Sequence, residues 1–369
     1  DQEIVSLSIH LASKRIIRNF DESIHRIIKD FDVNQIVNTM LVNIQSQWHI
    51  DFSNDNELRD YLLLHLIPLE VRSRYNVVLR NPLIDKIKQQ NILAYQLAVA
   101  ACNHLVDYHG NNLSDEEIGY IALHLELALL RKKIKDKKNI LLMCGVGRGT
   151  SSTLAYQIKE MYGKFINEIQ TVDYIGIKSY DFEDVDFLIT STPIKNKLPI
   201  PVIEVNYFLN NNDKKRILSF LDDQDSFHMQ EVIKRNLIIK NINEETKEGV
   251  LSYIIKNTLG NESISKKLIE EDCIGNYELE NMLAILSCCV DEPKTKIIIG
   301  ILSKPILWNK KKVQLVIIPL IGKNIGIKIL DLYKELSYFA DNSNYIKRII
   351  KKQNQEEIIK IFNDIELKI

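Results

Sequence analysis

The chain has 369 residues, with 48 Lys+Arg against 49 Asp+Glu and 8 His, a formal net charge of −1. Hydrophobic residues make 45% and charged residues 26%, the balance of a globular chain with room for about two to three cores. That balance argues against a chain whose main partner is nucleic acid. No apolar run reaches the ~18–20 residues that cross a bilayer, so no membrane role is expected. Five Cys, with Cys288 and Cys289 adjacent, make no disulfide framework and suit a reducing cytoplasmic compartment. The residue pattern asks for no cofactor and no metal. The chain opens on Asp1 without a signal-peptide pattern and reads as a piece that lacks its start.

Residues 1 to about 136 read as helical, with little glycine and apolar residues recurring at three and four. Ser114 with Glu117 forms a capping box, and the run Asp115-Glu116-Glu117 suits a helix N-terminus. Ile118, Ile121, Ala122, Leu125, Ala128 and Leu129 then share one apolar face. Basic residues from Arg131 to Lys138 close that helix and read as a solvated linker, with a domain boundary near Lys137. Glu3-Ile4 followed by His10-Leu11 repeats Glu117-Ile118 followed by His124-Leu125, so the chain begins in the last helix of a first copy.

From Asn139 the pattern predicts a small parallel α/β sheet. Its strands fall at Asn139–Met143, Ile169–Val172, Phe187–Thr190 and Val202–Val205, with helices from about Thr150 to Met161 and from Asn210 to Leu221. After the polar break at Asp222–Ser226 a third unit is expected. Its helices are predicted near 228–235, 246–257, 262–270, 324–340 and 343–367, and its strands at Leu283–Cys288, Ile297–Leu302 and Val313–Pro319.

Between the first strand of the middle unit and its helix stands Cys144-Gly145-Val146-Gly147-Arg148-Gly149-Thr150-Ser151-Ser152. A glycine-rich loop at a helix N-terminus turns N–H groups inward and favours an anion. The same place lowers a cysteine pKa and makes a thiolate nucleophile. With no Lys the loop is not a Walker A site. Its glycine spacing does not match the dinucleotide pattern. A cysteine phosphatase needs an Arg where Thr150 stands, and Arg148 comes two residues early. What remains is a cysteine that accepts a phosphoryl group and holds it, or an inert buried cysteine beside a tight turn.

Three histidines share an apolar-His-Leu pattern on helices: His10, His65 and His124. Such residues suit either a phosphoacceptor or a half-buried helical position.

Leu62-Leu63-Leu64-His65-Leu66-Ile67-Pro68-Leu69-Glu70-Val71-Arg72, with Asn81-Pro82-Leu83 and the stretch from Asp115 to His124, resembles a PTS regulation domain (PRD). That is an all-helical module with phosphorylatable histidines. Cys144 to Ser152 resembles the phosphocysteine loop of a galactitol-type IIB domain. Ser303-Lys304-Pro305-Ile306-Leu307-Trp308 with Val313–Pro319 is similar to a mannitol/fructose-type IIA domain. The order resembles that of BglG-family sugar-operon activators, which carry an N-terminal DNA-binding region and act as dimers. A working IIA domain has its active His in an A-I-P-H stretch. Here the stretch reads Ala284-Ile285-Leu286-Ser287, and no His follows His228.

The resemblance implies a multidomain chain: residues 1–29 the tail of a first PRD, 30–136 a second PRD bundle, 137–225 a small parallel α/β IIB-like domain, 226–369 a degenerate α/β IIA-like domain. It implies the regulatory part of a transcriptional activator and not an enzyme, with His65, His124, His10 and Cys144 as phosphoacceptors. Gly145, Val146, Gly147, Arg148, Gly149, Thr150 and Ser151 would form the phosphate loop, and Ser287 would mark the degenerate IIA position. HPr and PTS IIA or IIB proteins would donate the phosphoryl group, the chain would be a homodimer, and DNA would be reached only through a missing N-terminal region. Two rivals stand beside it: a sugar-transport phosphotransferase subunit, and a virulence-type PRD regulator with reduced phosphocontrol.

Overall fold

The computed structural model describes residues 32–75, 77–105, 110, 113–135, 137–143, 148–194, 198–221, 232–260 and 262–368. They group into two compact units. The helical stretch up to Leu129 and the last α/β stretch from residue 232 belong to one, and the middle α/β stretch forms the other.

In the first unit the helices are α1 (Val33–Trp48), α2 (Asn56–Arg74), α3 (Ile84–Gln90), α4 (Ile92–Cys102) and α5 (Asp115–Lys135). Asp32 and Asp55 begin α1 and α2 by accepting from Gln35 N (3.1 Å) and Leu58 N (2.9 Å), which satisfies donors the first turn would leave open. The α5 face read from sequence is the buried one: Ile118, Ile121, Ala122, Leu125, Ala128 and Leu129 all lie in the core. Gly119 lets that helix approach α3, since a Cβ there would sit 2.6 Å from Ile84 Cδ1. Every residue of α4 is buried. One side faces the helical core, and the other packs on the last α/β domain, where a Cβ on Gly275 would reach Val99 Cγ2 at 2.5 Å.

The middle unit is a four-stranded parallel sheet of β1 (Lys138–Met143), β2 (Ile166–Val172), β3 (Phe187–Thr190) and β4 (Val202–Glu204), in the order β2-β1-β3-β4. Alternate residues of β1 feed two cores. Ile140 and Leu142 join Leu154 and Ile158 of α6 (Arg148–Tyr162) and Ile217 and Leu221 of α7 (Asn211–Leu221). Leu141 and Met143 pack with Ile177 and Leu188 on the opposite face.

In the last domain the strands are β5 (Ile233–Ile242), β6 (Leu283–Ile285), β7 (Cys288–Val290), β8 (Lys296–Leu307) and β9 (Lys312–Gly322). The order is β5-β8-β9-β6, with β7 also on β9. The β8–β9 pairing is antiparallel, and the β5–β8, β6–β9 and β7–β9 pairings are parallel. The helices are α8 (Lys247–Thr258), α9 (Glu262–Ile274), α10 (Ile329–Asp341), α11 (Ser343–Lys352) and α12 (Gln355–Glu366).

Three expectations for this domain change. The helix expected near 228–235 gives way, over its described end, to the strand β5. Isoleucines there pair with β8 (Ile238 with Ile299), and that pairing outweighs local helix propensity. The helix expected over 343–367 is two helices. Gln353 takes a left-handed φ of 48°, and the Asn354 side chain caps the next helix by accepting from Glu357 N at 2.8 Å. The strand expected at Leu283–Cys288 is interrupted at Leu286-Ser287.

Candidate functional site

On α2, His65 and Arg72 are seven residues apart, two helical turns, and so share a face. On α5 the same spacing separates Glu117 from His124. The two helices meet so that Glu117 lies at Arg72 and His65, while His124 lies at His65 and Tyr61. That ordering makes them antiparallel neighbours. The His65 and His124 rings are 5.8 Å apart, edge to face, and His124 stacks on Tyr61 at 5.5 Å. The resemblance implies that both histidines are phosphoacceptors of one PRD, and the fold brings them together from two helices.

The carboxylate beside them is not a residue that the sequence singles out as part of a site. Glu117 accepts two bonds from the Arg72 guanidinium, from Nε at 2.6 Å and Nη2 at 2.8 Å, and its Oε2 lies 3.1 Å from His65 Nε2. Side-chain exposure is 13% for His65, 10% for Glu117 and 7% for Arg72, so solvent screens this cluster little. Burial pushes the Glu117 carboxyl up, but the bonds from His65 and Arg72 outweigh it and hold the group ionised below the usual range. Burial, then the neighbouring His65, lower His124 to about 4, so its ring is neutral at pH 7. The capping box explains Glu117 from its local spacing alone. The structure keeps only the other half of that box, a long 3.4 Å contact from Glu117 N to Ser114 Oγ, and sends the carboxylate to Arg72 and His65.

Ser287, expected from the resemblance to mark the degenerate IIA position, is buried. Its hydroxyl and that of Tyr333 on α10 share a hydrogen bond. Tyr333 donates in turn to Gln96 Oε1 on α4 at 2.9 Å, and Gln96 Nε2 donates to Ile285 O at 2.8 Å. Ser287, Tyr333, Gln96 and Ile285 thus form one chain of hydrogen bonds that joins α4 to the last domain. Further hydrogen bonds join the helical stretch to the last domain: Gln89 Nε2 donates to Ala340 O (2.5 Å), Glu280 N to Gln89 Oε1 (3.1 Å), and Asn276 Nδ2 to Asp115 Oδ2 (2.6 Å).

His10 lies outside the described residues, as do Cys144, Gly145, Val146 and Gly147. The next residues, Arg148, Gly149, Thr150 and Ser151, form the first turn of α6. Among the described residues no group of three or more His, Cys, Asp or Glu is arranged to hold a metal ion. Among the same residues no helix is long and apolar enough to cross a membrane.

Residues 38–128 match the family described as PRD domain. Residues 231–365 match the phosphoenolpyruvate-dependent sugar phosphotransferase system, EIIA 2. Two Bacillus subtilis (strain 168) proteins are similar over most of the chain. The "Probable licABCH operon regulator" is 27% identical over 338 residues, 90% of this chain and 53% of its own length. "Transcriptional regulator ManR" is 20% identical over 375 residues, 96% of this chain and 57% of its own length. The chain thus spans about half the length of these curated relatives. Among solved structures, nitrogen regulatory protein IIA-Ntr from Neisseria meningitidis is 14% identical, covering 36% of this chain and 97% of that chain, with a TM-score of 0.32.

Proposed function

We propose that this chain is the regulatory part of a transcriptional activator controlled by phosphotransferase-system phosphorylation, a PRD bundle and a IIA-like domain with a IIB-like domain between them. The observation that carries the reading is the His65–His124 pair inside the PRD-matched segment, with Glu117 and Arg72 fixing one ring. The two similar proteins bear the names of transcriptional and operon regulators. On this reading His65 and His124 accept phosphoryl groups from HPr, His10 is the counterpart from a first PRD, and Cys144 accepts from a IIA or IIB partner. A phosphoryl group adds charge to a closely packed helix pair and biases a homodimer between arrangements. The domain spans that go with it are 1–29, 30–136, 137–225 and 226–369.

The chain is not an enzyme on this reading. A complete relay needs an imidazole in the last domain. The sequence holds none after His228, and Ser287 lies under α4. Incubation with phosphoenolpyruvate, enzyme I and HPr, followed by mass spectrometry under non-acidic conditions, tests the proposal. Label on His65 or His124 that is lost in H65A or H124A supports it. Label confined to other residues sinks it.

A further inference from the structure

We propose that Glu117 pins His65 as the tautomer protonated on Nε2, which makes Nδ1 the nitrogen that takes the phosphoryl group. This rests on reading His65 as a phosphoacceptor and names its reacting atom. The argument begins with what the facing oxygen can do. An ionised carboxylate accepts hydrogen bonds and cannot donate one. Glu117 is ionised, since Arg72 donates to both of its oxygens and holds its plane. Its Oε2 lies 3.1 Å from His65 Nε2. Two lone pairs cannot face each other at that distance in a largely buried site, so Nε2 carries the hydrogen. In the neutral ring the free lone pair is then on Nδ1.

The transfer balances on that assignment. The Nδ1 lone pair attacks the phosphorus of a phosphohistidine on the donor protein. The new N–P bond forms on Nδ1, and the donor N–P bond breaks with its electron pair returning to the donor imidazole. No proton leaves His65. The phosphorylated ring keeps its Nε2 hydrogen and gains positive charge, and the Glu117 carboxylate accepting from that hydrogen stabilises it. The arrangement has the logic of a carboxylate that orients an imidazole and steadies its cation. Glu117 is thus a positioning residue, and Arg72 positions Glu117 in turn. Among the described residues His124 has no carboxylate partner of this kind. Its neutral ring stacks on Tyr61 and leaves the tautomer unpinned.

The test has two arms on the full chain labelled with 15N-histidine, with His65 signals identified by their loss in H65Q. In the first arm, long-range 1H–15N spectra near pH 7.5, without any phosphoryl donor, read the tautomer directly. The expected result is one dominant Nε2–H form at His65. In E117Q, whose amide can both donate and accept, a mixture should emerge, and E117D should restore part of the single form. In the second arm, phosphorylated HPr loads the protein, and one-bond 15N–31P coupling identifies the bonded nitrogen. The expected coupling is to Nδ1, with transfer slowed about ten- to a hundredfold in E117Q, the worth of one hydrogen bond to a charged group. A dominant Nδ1–H form in the unphosphorylated protein, or a phosphoryl group on Nε2, overturns the proposal. The expected tautomer with no phosphoryl group on His65 overturns the phosphoacceptor reading instead and upholds the positioning role of Glu117.

Discussion

Asp115 Oδ2 accepts from Asn276 Nδ2 at 2.6 Å, so the first turn of α5 is tied to the last α/β domain two residues before the carboxylate that holds His65. Asp115 also accepts from Lys88 Nζ and from the Tyr95 hydroxyl, both at 2.8 Å. Burial raises the Asp115 carboxyl, but Lys88 and these bonds keep it below its usual range. One helical turn thus carries a tie to the neighbouring domain through Asp115 and the clamp on His65 through Glu117. The acidic run that suited a helix dipole is mostly spent on side-chain partners.

Breaking the clamp should cost stability as well as chemistry. E117A takes from the buried Arg72 guanidinium the acceptor of two of its bonds, and a loss of about 3–5 kcal/mol is expected by chemical denaturation. E117Q keeps the shape and should lose less. A loss under about 1 kcal/mol in E117A would show that Arg72 is satisfied without the carboxylate.

His124 gives the fold an acid-sensitive window. Its pKa of about 4 lies below the ordinary value of 6.5, so the unfolded chain binds a proton the folded chain refuses between those values. Stability should therefore be complete above about pH 6.5 and fall as pH drops toward 4. H124F should flatten that part of the pH–stability curve, and an unchanged slope would assign it elsewhere.

On the proposed reading, a histidine placed at Ser287 should not take a phosphoryl group. Ser287 is buried and bonded to Tyr333, and Gln96 of α4 completes the chain. S287H would overpack this place at a cost of about 1–3 kcal/mol and remain unlabelled by phosphorylated HPr. Label on the introduced imidazole of that variant would mean that α4 opens.

The Glu335 carboxyl makes the opposite pH signature to His124. Burial, then Glu366 and Asp331, raise it to about 8, and its Oε2 has no partner among the described residues. Here the folded state holds the extra proton, so stability should decline as pH rises from about 4.5 to 8. E335Q should match the parent protein near pH 4.5 and exceed it by about 1–3 kcal/mol at pH 8. Equal stability at both pH values would show the group already ionised.

Much of this is legible in the residues. The α5 stripe is readable because helical periodicity records burial directly, and the parallel β1 and β3 are readable as short apolar runs bounded by turns. The pairing of His65 with His124 is legible through the resemblance to a PRD; the repeated apolar-His-Leu motif alone marks the residues without pairing them. Glu117 and Arg72 escape notice because both already have a local explanation, a capping box and an ordinary helix charge. Their meeting depends on which helices become neighbours. The strand β5 escapes because its isoleucines suit either structure until β8 is beside them. The α4 interface is hidden for a related reason. A helix apolar on all sides says that it is buried, but not by what.

Since α4 is walled by the bundle on one side and the last domain on the other, the matched segments 38–128 and 231–365 cannot melt one after the other without baring that helix. Calorimetry should show the two segments unfolding in one transition, although more than a hundred residues separate them along the chain. The middle domain, spliced between them, should give its own. An isolated bundle would need a substitute for the surface that Gly275, Tyr333 and Ile285 now provide. Deleting the last domain would therefore bare the face of α4 that it now covers, and the bundle left behind should self-associate.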